Sequence, residues 1–144
     1  MRSRTLLIAA LVAASSSFAS GASAQAVRYI NPNSATSDGG SPFSGAVMVG
    51  NTLYLSGMLG RGDTAEAAAR NALDAIRTTL EQAEMTMDDL VSVQIFAADL
   101  ADYAGFNTVY RSYFTREFPA RAFLGAGSLL ANARFEVVGI AAKR

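Results

Sequence analysis

Arg121, Glu136 and Asn107 are the side chains whose types and settings could do chemistry in this chain. Arg121 follows the Pro119-Ala120 pair and heads the apolar run AFLG. Its guanidinium is a rigid fork of donors able to grip a carboxylate through two bonds at once. Flanked by the small residues Ala120 and Ala122, it is placed to point into a cleft; the competing reading is a cation that caps the helix before it. Glu136 stands inside RFEVVGIAA, a run that is apolar on both sides. A carboxylate desolvated there has its proton affinity raised unless a cation or hydrogen bonds hold it charged. A raised affinity suits a general acid or base near neutral pH; the alternative is a glutamate at a strand edge paired with Arg134 or another surface cation. Asn107 lies one helical turn after Tyr103 among aromatic residues, where a buried amide needs partners. It either meets a ligand or ties down a loop.

Composition removes many other chemistries. The chain has no histidine and no cysteine, so zinc sites built from those ligands, cysteine nucleophiles, Ser-His dyads and imidazole catalysis are excluded. RGD at 61–63 explains itself as a turn before a helix, and GAGS at 125–128 lacks the lysine and spacing of a phosphate loop. Asp88, Asp89, Asp99 and Asp102 lack the spacing of an EF-hand, so no metal site is expected.

Residues 1–24 read as an export signal: Arg2 and Arg4 precede the apolar run TLLIAALVAA, and ASA at 22–24 is a small-residue cleavage site. The apolar run is too short to span a bilayer, so a periplasmic or secreted protein with no membrane attachment after cleavage is expected. The domain then spans 25–144. Taking Arg2 and Arg4 from 12 basic and 12 acidic residues leaves a net charge of −2. With no basic stripe interleaved with aromatics, a nucleic-acid partner is not expected. The remaining 120 residues suit one domain with its own core, without disulfides.

The elements that must position these residues follow from periodicity. VRYIN (27–31) is a short extended piece, followed by a loop rich in Asn, Ser, Gly and Pro. AVMVGNTLYLSG (46–57) reads as a hairpin turning at Gly50-Asn51. A capping box from Asp63 to Glu66 opens a helix whose apolar face is Ala65, Ala69, Ala72, Leu73, Ile76, Leu80 and Ala83. A strand over 90–98 comes next, then a second helix carrying Tyr103, Phe106, Tyr110, Tyr113 and Phe114, stopped by Pro119. RAFLGAG and RFEVVGIAA are the closing strands. The class is α/β (α+β), a mixed sheet of about six strands with two helices on one face. The last strand is apolar on both faces, with Phe135 and Val137 on one and Val138 and Ile140 on the other. Two helices cover one face only, so the other is expected to meet another subunit.

LYLSGMLG, ARNALDAIRTTLEQAE, DLVSVQIFAADLADYAGFNTVYRSYF and FPARAFLGAG…RFEVVGIAAKR together resemble the Rid family of reactive-intermediate deaminases, also called YjgF/YER057c/UK114 or L-PSP endoribonuclease-like proteins. The resemblance spans nearly all of 25–144. It implies a chorismate-mutase-like fold assembled as a homotrimer, with inter-subunit clefts that bind small carboxylates, and hydrolysis of enamines or imines to 2-keto acids and ammonia without a cofactor. By position, Arg121 matches the arginine that grips the substrate carboxylate, Glu136 the glutamate that orients or activates water, and Asn107 a helix asparagine near the cleft. Three positions depart from the pattern and make the pocket more apolar. Phe123 stands where cysteine is common, Phe43 replaces the tyrosine of an early-loop GPY, and Met58 replaces the glutamine after SG. Phe123 still has a backbone carbonyl to offer the substrate nitrogen. Two functions follow: an imine/enamine deaminase, or a non-catalytic trimer of the same family that binds a small carboxylate or apolar ligand or acts in a chaperone-like way. Ribonuclease activity fits poorly with the lack of histidine and the acidic balance.

Overall fold

The computed structural model describes residues 24–31 and 40–143. Residues 1–23 of the expected export signal, and 32–39 of the polar loop, lie outside the described residues. Seven strands and two main helices follow in the order β1 (Val27–Ile30), β2 (Ala46–Val49), β3 (Thr52–Leu55), β4 (Met58–Gly60), α1 (Ala65–Gln82), β5 (Leu90–Ala97), α2 (Tyr103–Tyr110), β6 (Ala120–Gly125), β7 (Phe135–Ala142). One mixed sheet holds them in the order β1-β2-β3-β7-β5-β6, with β4 also paired to β7. Only β5 and β6 run parallel, because α2 crosses between them and returns the chain in the same direction.

Gly50 and Asn51 turn the β2–β3 hairpin, with Val49 opposite Thr52. Gly50 has φ +57°, a conformation glycine adopts without penalty. After β3 the chain breaks at Ser56-Gly57 and pairs again as β4, a strand the sequence pattern does not separate from the hairpin.

The helix after β4 starts one residue later than the Asp63 capping box implies. Thr64 is the N-cap, its hydroxyl accepting from the Ala67 amide at 3.1 Å. Both residue types cap well, but the Asp63 carbonyl is taken by Arg134, and Thr64 holds the extended backbone a cap requires. The buried face of α1 is Ala68, Ala69, Ala72, Leu73, Ile76, Thr79 and Leu80. The second helix also differs from expectation: α2 ends at Tyr110, well before Pro119, and passes through one 3₁₀ turn (Arg111–Tyr113) into extended backbone at Phe114. Asp88 causes this, since its carboxylate accepts from both the backbone amide (2.9 Å) and the hydroxyl of Thr115 and pulls the chain off the helical path.

Both helices pack on one face of the sheet. There Phe106 of α2 meets Phe135 of β7 with ring centroids 4.8 Å apart, and Leu53, Leu73, Ile76, Leu80, Ile95 and Val137 fill the rest of a core closed to solvent. Among the described residues, no helix packs on the opposite face. Across it run Val47, Tyr54 and Ile140 in one row and Leu59, Glu136, Phe96 and Leu124 in another, adjacent strand by strand. Tyr54 is 50 % and Leu124 43 % exposed. Among the described residues, no helix is long and apolar enough to cross a membrane.

Candidate active site

Strand alternation decides where the candidate residues go. In β6, Arg121 lies opposite Val93 and Phe123 opposite Ile95, two residues of the buried face of β5. Arg121 therefore points to the helix side, toward α2. Its Nη1 donates to Asn107 Oδ1 at 2.7 Å and its Nη2 to the Tyr103 hydroxyl at 3.5 Å. A guanidinium only donates, so Asn107 must present its carbonyl oxygen to it. The charge lies over two rings, with Cζ 4.8 Å from the Tyr110 centroid and 5.8 Å from that of Tyr103. These contacts go to α2 side chains rather than to the carbonyls at the helix end, so Arg121 is not a helix cap. An open recess of about 190 Å³ is lined by Arg121, Asn107, Tyr110, Arg111, Phe118 and Pro119.

Tyr110 is the recess residue whose environment is most altered. It is 3 % exposed, and its hydroxyl has no hydrogen-bond partner among the described residues. Burial pushes its pKa up to about 12 against the opposing pull of the Arg121 charge. Phe123 does not line this recess. Its ring packs edge-on against Tyr103 (5.0 Å) and Phe106 (5.6 Å) and so supports the recess from the core side.

Glu136 lies elsewhere. In β7 it alternates with Phe135 and Val137, which face the helices, so its side chain emerges on the uncovered face. A second recess of about 250 Å³ surrounds it, lined by Phe43, Ser56, Gly57, Leu59 and Leu130. Gly57 leaves room for it: a Cβ there would sit 2.0 Å from Glu136 Oε1, so a larger residue would make the Glu136 side chain shift. The Ser56 hydroxyl donates to the Ser44 carbonyl at 2.6 Å and ties the Phe43 loop to the same wall. Leu130 is 76 % exposed and precedes two residues in the left-handed region, Ala131 (φ 54°) and Asn132 (φ 53°). For alanine that conformation is unfavourable by about 1 kcal/mol. The pairing of Glu136 with Arg134 is not found, because Arg134 is held by Asp102 at 2.7 Å and by the Gly62 and Asp63 carbonyls.

The fold thus brings Arg121 and Asn107 together, and Phe43 with Glu136, but sets these two groups on opposite faces of one subunit. Met58 belongs to neither: it lies opposite Val137 on the helix side and packs against the core. Sequence reasoning did not single out Tyr103 and Tyr110, because an aromatic stripe at helical spacing reads first as core, nor Arg111 and Phe118, which carry no motif of their own. The signal that could have found the first two is that three members of the stripe, Tyr103, Tyr110 and Tyr113, carry hydroxyls. Among the described residues no three acidic side chains converge in a group that could hold a metal.

A mixed sheet with two helices on one face and an arginine-centred recess at its edge strand defines an α/β protein with a cationic recess at a sheet edge. Comparison with known proteins gives the family. The family model described as Endoribonuclease L-PSP matches residues 35–143. A 2-iminobutanoate/2-iminopropanoate deaminase from Dermatophagoides farinae is 36 % identical over 107 residues, covering 69 % of this chain and 84 % of that one. The Homo sapiens protein of the same name is 32 % identical over 69 % of this chain and 79 % of its own. Among solved structures, a YjgF-family protein from Neisseria meningitidis superposes with TM-score 0.73 at 27 % identity, covering 85 % of this chain and 98 % of the other. The YjgF gene product of E. coli gives 0.69 at 29 % identity, covering 71 % and 89 %. The chain belongs to the Rid (YjgF, L-PSP endoribonuclease) family.

Proposed function

We propose that this protein hydrolyses reactive imines of the 2-iminobutanoate/2-iminopropanoate type, in clefts between the subunits of a homotrimer. The observation that carries the reading is Arg121: a guanidinium held by two neutral partners and two aromatic faces, with no carboxylate among the described residues to neutralise it. Relatives at 32–36 % identity that bear the deaminase name support it. Arg121 takes the substrate carboxylate, and Asn107 fixes the fork that receives it. Glu136 comes from a neighbouring subunit, whose uncovered sheet face docks against the Arg121 edge, and its carboxylate accepts a proton from a bound water. The water oxygen bonds to the imine carbon while the C=N π pair moves to nitrogen. Transfer of the proton to nitrogen and collapse of the carbinolamine release ammonia and leave the 2-keto acid. Imines hydrolyse readily in water, so orientation and charge placement suffice. No cofactor enters this sequence.

The test is release of ammonia and keto acid from imines generated in situ by an amino-acid oxidase. Arg121→Ala should lower kcat/KM by roughly a hundredfold, the order expected for losing a bidentate charge-assisted contact, with the melting transition retained. Unchanged acceleration in the variant would refute the assignment. A ligand-binding role without turnover draws support from the apolar wall that Phe43, Leu59 and Leu130 build around Glu136. Carboxylate binding with no acceleration of any imine would favour it.

A further inference from the structure

The recess that receives Arg121 holds a second cation. Arg111, the residue that caps α2 at its C-terminus, lines the same recess. Its Cζ is 5.9 Å from the Phe118 ring centroid. That ring stacks on Tyr110 with centroids 6.0 Å apart, and Tyr110 in turn carries the Arg121 guanidinium. One aromatic pair therefore bears a guanidinium at each end. Among the described residues neither cation has an acidic partner. The salt bridges among the described residues join Arg77 to Asp74, Arg134 to Asp102 and Lys143 to Glu84, and no carboxylate lines the recess. In a chain with equal numbers of acids and bases, two uncompensated guanidiniums around so small a volume concentrate positive potential that a singly charged ligand meets only in part. The dipole at the end of α2 accounts for a cation at position 111. It does not account for the shared aromatic frame with Arg121 or for the missing acid.

We infer that Arg111 sets the specificity of the Arg121 recess, and that the preferred ligand is a short dicarboxylate, a 2-imino or 2-keto diacid of four or five carbons with one carboxylate on each guanidinium. The inference rests on the deaminase reading for the imine and keto carbon; the preference for two acidic groups can be measured without turnover. A site that pairs a ligand charge discriminates against the analogue lacking it, because its own cation is then left unpaired. Arg111 is exposed, so the discrimination is that of a partly solvated ion pair, about fivefold.

Calorimetric titration of the full protein with 2-oxoglutarate and with 2-oxobutyrate, at fixed ionic strength, tests this. The diacid should bind about fivefold more tightly, and Arg111→Gln should bring the ratio near one. Arg70→Gln removes the same charge from a different recess and should leave the ratio as it was. Equal affinity for the two acids, binding of neither, a ratio that survives Arg111→Gln, or an equal fall in Arg70→Gln would each overturn the inference. Imine hydrolysis measured on the same samples separates the two readings. A diacid preference without turnover upholds the inference and ends the deaminase reading, whereas turnover with no diacid preference does the reverse.

Discussion

Arg121 owes its placement to neighbours of modest individual strength. One hydrogen bond to Asn107, a longer one to Tyr103 and two ring faces hold a charge in place without neutralising it. A carboxylate partner of its own would have competed with any ligand. Tyr110 shows the cost of such an arrangement, since its ring supports Arg121 while its hydroxyl is buried without a partner. An unsatisfied buried hydroxyl is unfavourable by about 1–3 kcal/mol. Tyr110→Phe keeps the ring and removes that atom. It should raise the melting temperature by a few degrees, about 1 kcal/mol, as read by calorimetry at neutral pH; a lower melting temperature would mean that the hydroxyl is hydrogen-bonded after all. Arg121, Asn107 and Glu136 stood out in the sequence as candidates because each is a charge or amide among apolar residues, and the structure joins the first two and sets the third on the other face. Tyr110 did not stand out, because its ring fits a core stripe and only the three-dimensional setting isolates its hydroxyl.

Among the elements, the segment from α2 to β6 decides whether Arg121 meets its partners, and Asp88 anchors that segment. The carboxylate accepts from the Thr115 hydroxyl and amide and from the Arg116 amide. These bonds, the Thr115 hydroxyl foremost, hold its pKa below the ordinary 3.8. A folded-state value below the unfolded one contributes stability that is complete above the unfolded value and is lost as pH falls through the folded one. Asp88→Ala should therefore melt at a lower temperature than the parent protein at neutral pH. The gap should close as the pH is taken below 3.8, and a gap independent of pH would place the anchor in something other than this carboxylate. Helix α1 was legible because its apolar period runs for five turns. Its cap was misplaced by one residue because Asp63 and Thr64 are both capping types, and only the Arg134 contact decides between them. The end of α2 was hidden for a similar reason: it depends on Asp88, distant in sequence, rather than on the visible Pro119.

At the scale of the whole molecule, Arg121 faces the helix side of the sheet at its edge strand, and Glu136 faces the uncovered side. No rotamer change brings a β7 residue of one face to the other, since neighbours in a strand alternate sides by construction. If the two act on one substrate, they belong to different subunits. The apolar second face of β7 was legible in the sequence and called for a partner. That Arg121 and Glu136 face opposite sides of the sheet was not legible, because strand register was needed to assign them to faces. A closed ring with a repeated head-to-tail contact gives each subunit both halves of a site, used in two different clefts. Arg121→Ala and Glu136→Gln proteins, each strongly impaired alone, should then complement each other when unfolded together and reassembled at equal amounts. About a quarter of the clefts receive an intact Arg121 from one subunit and an intact Glu136 from the next, so about a quarter of the parent activity should return. A site contained in one subunit can restore nothing on mixing, and persistent inactivity of well-assembled mixed oligomers would exclude the shared cleft.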